Sequence, residues 1–556
     1  MIFSYLAHIN SCSIKQQERQ TRIEQLPPQF HEPIGTTDAL ILEQPVSMLV
    51  ASVQAGKLDP TDILAAYGKK ALKAHAATNC LTEIMISAAE GWARECNKQG
   101  PLAGMPVSFK DTVGVEGWDA SIGYSAWTGK PWKKDSTLVR LLRDAGAIPF
   151  VKTNIPITLM SAESSNDVFG TTTNPHNKLY SCGGSSGGEG ALLAYGGSRI
   201  GIGTDVAGSV RLPAQYSGVY SIKASAGRFP RTGNSTGIPG QEAVPPVYSP
   251  MARTLEDLET FWKAVVSMEP WKYDHSCYVM PWKAVQLSEK TTKWGVMWDD
   301  GVVVPSPACK RALETVVATL RSHGHDVVTI KPPSPYEGLE IGAQLIIADG
   351  GETAMQPFRT GETNDAGVRE ALRMARLPRI LRRLYVWYLR YIKRDEIYAA
   401  LVEGWHARPT IEYWPLIARR EDYRRRWFEM WQEESLDFVL TVPNALPALP
   451  HGGMKEGYKA MGYTFLFNLL DYTAGVLPIT HVDAALDIIA DSPGFKPRNA
   501  IEKGAFKMYD AVKMHGLPVG VQVVGKRLEE EKVMEGMKII ENLLRKDGLA
   551  YELLRT

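Results

Sequence analysis

Two glycine- and serine-rich runs, CGGSSGGEGALLAYGG from Cys182 and GIGTDVAGSVRLPAQYSG from Gly201, constrain this chain more than any other feature. Glycines at such density do not favour a helix interior, and they let backbones approach one another closely. Each run nevertheless leads into residues that favour a helix. Ser186 followed by Glu189 has the spacing of a capping box, which predicts that a helix begins there. Pro213 has no N–H and fits only a first turn, which places a second helix start near Ser209. Between them, IGIGTD from Ile200 reads as a strand. A glycine turn facing a helix N-terminus supplies backbone N–H donors for negative charge.

The flanking sequence has α/β texture. From about 45 to 100, apolar residues recur at helical spacing, as in Ile63, Ala66 and Tyr67 and again in Ala71, Leu72 and Ala74, predicting an N-terminal helical layer. MPVSFKD from Met105 alternates like a strand, Leu138, Leu141, Leu142 and Ala145 form a helical stripe, and AIPFVKTN resumes as a strand. This alternation implies an α/β core. The chain ends with a strand, PVGVQVVG from Pro518, and a charged helix from about Glu529 to Arg545. Residues 1–37 contain a polar, proline-broken stretch and are expected to form a surface or poorly ordered arm, with the folded body over 38–556. Residues 285–435 read as a divergent helical segment. In it, Arg369 to Arg394 carries nine Arg/Lys with Tyr385, Trp387, Tyr388 and Tyr391. The expectation there is a solvated basic face over a core-facing aromatic stripe, with a membrane-contact or substrate-entry helix as the alternative.

Composition narrows the function classes. At 556 residues the chain exceeds the length prior of about 150 residues per domain, but large α/β enzymes do so as one unit. A formal charge of +1 gives no global attraction to nucleic acid or anionic membrane. The six cysteines form no CxxC pair and have no histidine at ligand spacing, which argues against a disulfide framework and a zinc site. The N-terminus, MIFSYLAHINSC, lacks a basic n-region, and no run approaches the roughly 18 apolar residues of a membrane span. A cytoplasmic protein without a membrane anchor, metal or cofactor is the expectation.

Three chemistries compete for the glycine runs. A phosphate-binding loop would need a Walker Lys-Ser/Thr pair, but Glu189 follows the glycines. G-x-S-x-G fits in two registers, on Ser185 or Ser186, and raises an α/β-hydrolase triad drawing on a later histidine such as His275, His451 or His515. In the third, Ser209 is a nucleophile whose oxyanion is held by the N–H groups of Val206, Ala207, Gly208 and Ser209; its bland counterpart is an inert Ser N-cap. Lys110 bears on that choice because it ends an apolar strand. An amine lodged against apolar walls loses solvation of its charged form, so its pKa can fall from about 10.4 toward neutrality and make it a base. Otherwise Lys110 snorkels or pairs with Asp111.

Taken together, Lys110 in SFKD, the serines of CGGSSGGEGA and the run GIGTDVAGSVRLPAQYSG resemble the amidase signature family. Weaker similarity extends from about residue 38 to GLPVGVQVVG from Gly516. TNPHNKLYSCGGSSGGEG from Thr173 and EPWKYD from Glu269 are similar to the fungal acetamidase branch. The resemblance implies a single large α/β/α sandwich with a mixed central β-sheet and an amide hydrolase acting on linear C–N bonds of a small to medium carboxamide. It implies that Lys110, Ser185 and Ser209 are catalytic, that the Gly184–Ser185 peptide is cis, and that Ser186, Asp205 and Arg211 are supporting residues. A homodimer is compatible with it. Rival readings are an ammonia-transferring amidotransferase subunit, a fatty-acid-amide-type hydrolase, whose N-terminal membrane segment this chain is expected to lack, and a noncatalytic binding protein. One departure stands out: the family's usual Gly-Gly-Ser is Ala207-Gly208-Ser209 here. A positive φ at 207 would add about 1 kcal/mol of strain; without it, the methyl narrows the acyl site.

Overall fold

The computed structural model describes residues 1–287, 290–489 and 496–556. Its centre is a mixed sheet, eleven-stranded among the described residues. In chain order the strands are β1 (Leu81–Ile84), β2 (Pro106–Lys110), β3 (Ile148–Thr153), β4 (Ile200–Asp205), β5 (Tyr220–Lys223), β6 (Val247–Ala252), β7 (Lys293–Val296), β8 (Asp326–Thr329), β9 (Phe438–Thr441), β10 (Ala474–His481) and β11 (Pro518–Val524). They lie side by side as β1-β3-β2-β4-β6-β5-β10-β11-β9-β7-β8. Parallel pairs β3/β2/β4 and β9/β7/β8 flank an antiparallel centre. Every residue of β2, β4 and β11 is buried, so helices must cover both faces of the sheet. The result is the expected α/β/α sandwich.

The helices that bear on function are α1 (Ile2–Glu24), α2 (Gly187–Ala194), α3 (Arg211–Ser217), α4 (Pro335–Ile346), α5 (Arg379–Trp387), α6 (Glu396–Gly404) and α7 (Gly462–Leu469). Both helix starts expected from the glycine runs are present, at Gly187 and Arg211. Ser186 does not cap its helix, and Glu189 turns inward to accept hydrogen bonds from Ser108 (2.6 Å) and Thr153 (2.9 Å).

Three sequence expectations change. Within the stretch 1–37 expected as a surface or poorly ordered arm, residues 2–24 form a helix. Its Gln, Glu and Arg residues favour helix without an apolar stripe, and its anchor is polar: buried Lys15 pairs with Glu83 (2.5 Å) and Asp119 (2.9 Å), while Arg22 also reaches Glu83. The stretch 285–435 contains β7 and β8 as well as helices; four residues each, KWGV and DVVT are too short to display a strand period. Residues 288–289 of that stretch lie outside the described residues. Finally, of the four aromatics near α5, Tyr385 packs against the core, while the rest of the expected stripe does not face it. Val386 and Leu389, three apart, turn inward together with Arg382, which leaves Trp387 and Tyr391 more than half exposed on the other side. Among the described residues no helix is long and apolar enough to cross a membrane.

Candidate active site

The parallel register of β2 and β4 assembles the first half of the site. Ser108 lies opposite Gly201 and Phe109 opposite Ile202, so Lys110, at the carboxyl end of β2, comes level with the Gly203–Thr204 step of β4. Ligand sites in α/β sheets form at these carboxyl ends. Lys110 is fully buried, and its Nζ lies 2.7 Å from Ser185 Oγ and 2.6 Å from Thr204 Oγ1. Burial pushes its pKa down to about 7, against the pull of the Asp205 and Glu189 carboxylates. Asp111 takes no part: it faces Lys152 (3.2 Å), Ser121 and the Ile122 N–H.

The serine loop approaches from the other side. The Gly184–Ser185 peptide is cis. Gly183 has φ of 88°, and a Cβ there would stand 2.7 Å from the Cα of Pro213, so only glycine fits where this loop crosses α3. Ser186 ties the loop to its surroundings: its N–H donates to the Ser209 carbonyl (3.1 Å), and its Oγ accepts from the Thr204 N–H (3.3 Å). Ser185 and Ser209 open onto the same cavity. They are not hydrogen-bonded to each other among the described residues.

The loop 205–210, expected from the sequence to hold an oxyanion, turns around Asp205. This buried carboxylate accepts from the N–H groups of Gly208 (2.8 Å) and Val210 (3.2 Å), from Arg211 Nε (3.0 Å) and Nη2 (2.9 Å), and from Asn468 Nδ2 (2.8 Å). Arg211 in turn donates to Gln522 (2.6 Å) and Asn468 (2.5 Å). Burial alone would raise the pKa of Asp205; Arg211 and the amide donors outweigh it and hold the group down to about 2. Gly208 therefore leaves the expected set of oxyanion donors, because Asp205 occupies its N–H, and Val206, Ala207 and Ser209 remain. The positive φ falls on Gly208, at 111°, so Ala207 carries no such strain, and it lines the cavity.

The cavity, about 360 Å³, extends from Ser185, Thr204 and Ser209 between the segment 231–248, which runs into β6, and the helices α4, α6 and α7. Among its described lining residues the only histidine is His275, whose side chain is 85% exposed and lies 3.8 Å from Asp274, so the sheltered contact a Ser-His-Asp triad needs is missing. Sequence reasoning missed Thr204, Asn468 and Gln522. Thr204 was accessible, since it adjoins Asp205 at the end of a strand; Asn468 and Gln522 reach the site only through tertiary packing.

The model of the family described as Amidase matches residues 62–534. An acetamidase of Aspergillus oryzae is 34% identical over 531 residues, covering 92% of this chain and 91% of that protein. Fatty-acid amide hydrolase 1 of Sus scrofa is 33% identical over 516 residues, covering 91% and 86%. A solved fatty acid amide hydrolase superposes with a TM-score of 0.84 at 27% identity, covering 96% of this chain and 95% of that one. With the family's core motifs gathered around one cavity on this sheet, the chain belongs to the amidase signature family and is a hydrolase of amide C–N bonds.

Proposed function

We propose that this chain hydrolyses a small to medium carboxamide through a relay from Ser209 to Ser185 to Lys110, by way of an acyl-enzyme. The observation that carries the reading is the 2.7 Å contact between a fully buried amine, its pKa near 7, and Ser185 Oγ. A neutral amine has one lone pair and two N–H groups. With one N–H directed at Thr204 Oγ1, the lone pair is free to point at the Ser185 hydroxyl.

In the forward step Lys110 accepts the Ser185 proton as Ser185 accepts the proton of Ser209. Ser209 Oγ bonds to the amide carbon, and the oxyanion is held by free N–H groups of the 206–209 loop. The relay then runs backward. Lys110 returns its proton through Ser185 to the amide nitrogen, the C–N bond breaks, and ammonia or an amine departs. Water enters, gives one proton to the relay and its oxygen to the acyl carbon; the relay then returns that proton to Ser209 Oγ as the ester C–O bond breaks, and the carboxylic acid leaves. An amide nitrogen leaves only once protonated, which is why the group that acts as base must next act as acid.

Ammonia release from a primary carboxamide by the purified single chain, without tRNA or a partner, tests the reading. A fluorophosphonate is expected to label wild type at Ser209 and not Ser209→Ala. Turnover that survives Ser209→Ala or Lys110→Met would overturn it.

A further inference from the structure

Resting on the amide-hydrolase reading, we propose that the acyl group this site accepts carries a bulky apolar chain of about nine heavy atoms beyond its carbonyl, alkyl or arylalkyl, and that acetamide is a poor substrate. The argument begins with size. At the ~30 Å³ share of a water molecule, 360 Å³ has room for about twelve heavy atoms, of which the amide group uses three. Acetamide would leave most of that space empty or wet.

The wall chemistry agrees. Leu339 and Ala343 on α4, Trp405 just past the end of α6, and Met461 and Phe465 at the start of α7 line one side of the cavity. Two of these helices contribute apolar residues four apart, so each presents one apolar stripe to the cavity. The stripe begins at the chemistry itself: Thr464, the neighbour of Phe465, donates its hydroxyl to the Ala207 carbonyl (2.9 Å). The apolar wall and Ser209 thus share one cavity, with Phe465 one residue from a direct contact to the loop that bears Ser209. Gly342 holds that surface in shape, because a Cβ there would lie 2.8 Å from the Phe465 ring.

Charge does not compete for this side. Lys459 reaches the wall, but its ammonium is 3.0 Å from Glu370 and stacks 4.5 Å from the centre of the Tyr398 ring, so it is already neutralised. Many of the polar cavity residues, Thr232, Asn234, Ser235 and Gln241 among them, come from the segment 231–248, which also brings the charged Arg231 and Glu242; Thr112, Thr158 and Ser161 add polar groups from elsewhere, away from α4 and α7. That leaves the helical side for hydrocarbon and the polar side for the amide nitrogen and water.

The test is ammonia release from acetamide, butyramide, hexanamide, octanamide, 4-phenylbutyramide and oleamide. Each buried methylene is worth about fourfold. Over the six methylenes that separate acetamide from octanamide, kcat/KM is therefore expected to climb by up to about 4,000-fold, and 4-phenylbutyramide to rank with octanamide. In Ala343→Trp, which fills the chamber, the octanamide-to-acetamide ratio drops by about 30-fold or more; in Trp405→Ala the optimum moves to longer chains. Acetamide as the best substrate, or a ratio unchanged in both variants, overturns the proposal while the hydrolase reading stands. No ammonia from any amide, with Ser209 unlabelled, means that the hydrolase reading itself has failed.

Discussion

The state of the Lys110 amine is the most exposed point of the mechanism to experiment. With a pKa of about 7, half of the enzyme carries the neutral base at pH 7. An ordinary lysine near 10.4 would present roughly one molecule in 2,500. Burial thus raises the competent fraction by about three orders of magnitude. Since the protonated amine cannot accept from Ser185, kcat/KM should fall tenfold per pH unit below 7 and level off above it, measured as ammonia release at subsaturating substrate. Glu189, pushed up to about 8 by burial, titrates nearby, so the limb must be assigned. It is expected to persist in Glu189→Gln, because Glu189 acts on Lys110 only through its charge. Stability gives a second readout. Lys110 has a folded pKa below its unfolded one, so the unfolded chain binds the extra proton between about pH 7 and 10.5, and stability falls as pH falls through that window. A shift of this size corresponds to about 5 kcal/mol. Lys110→Met escapes that loss, and denaturant midpoints of wild type and variant should diverge in favour of the variant from pH 10 to 7. A plateau reached only above pH 9, or parallel stability profiles, would refute the neutral buried base.

Three further substitutions probe the surroundings. Thr204→Val removes the acceptor for a Lys110 N–H and should lower kcat by about 10- to 100-fold, the scale of one positioned proton-transfer partner; because the charged amine loses more than the neutral one, the acid limb should also move to lower pH, and Thr204→Ser should restore both. Gly208→Ala should abolish turnover, since its Cβ would sit 2.3 Å from Thr464 Oγ1 at a φ of 111°, whereas Ala207→Gly should stay folded and active in ammonia-release and melting assays. Asp205→Asn leaves the fully buried Arg211 guanidinium without its counter-charge and should cost about 3 to 5 kcal/mol in denaturant unfolding.

Local chemistry made the proposed reacting half of this site legible in sequence, and long-range packing concealed the rest. Lys110 was readable because a lysine at the end of a buried strand contradicts its surroundings, and the serine loops because their glycines precede helix starts. Capping-box spacing marked the start of α2 correctly for the wrong reason: Glu189 leaves its expected cap role and bonds two residues on β2 and β3. The helix α1 escaped notice because it is held by the buried ion pairs of Lys15 and not by an apolar stripe. Four-residue strands at the sheet edge, β7 and β8, carry too few alternations to stand out. The chamber was present as the pairs Leu339/Ala343 and Met461/Phe465, but more than a hundred residues separate them, and only the fold sets them facing one cavity.

Helix α7 joins the two halves mechanically. Within two turns Asn468 bonds both Asp205 and Arg211, Thr464 bonds the Ala207 carbonyl, and Met461 and Phe465 form chamber wall. Any displacement of this helix by a badly fitting acyl group is transmitted to the loop that bears Ser209, so under the proposed relay acyl fit should register in kcat as well as in KM. Helix α4 has no hydrogen bond to that loop among the described residues and meets α7 through Gly338 and Gly342, which lie against Leu466 and Phe465. Specificity is therefore separable from chemistry on α4 and inseparable from it on α7: Ala343→Trp should change which amide is preferred while the Lys110 pH limb stays in place, and Phe465→Ala should disturb both.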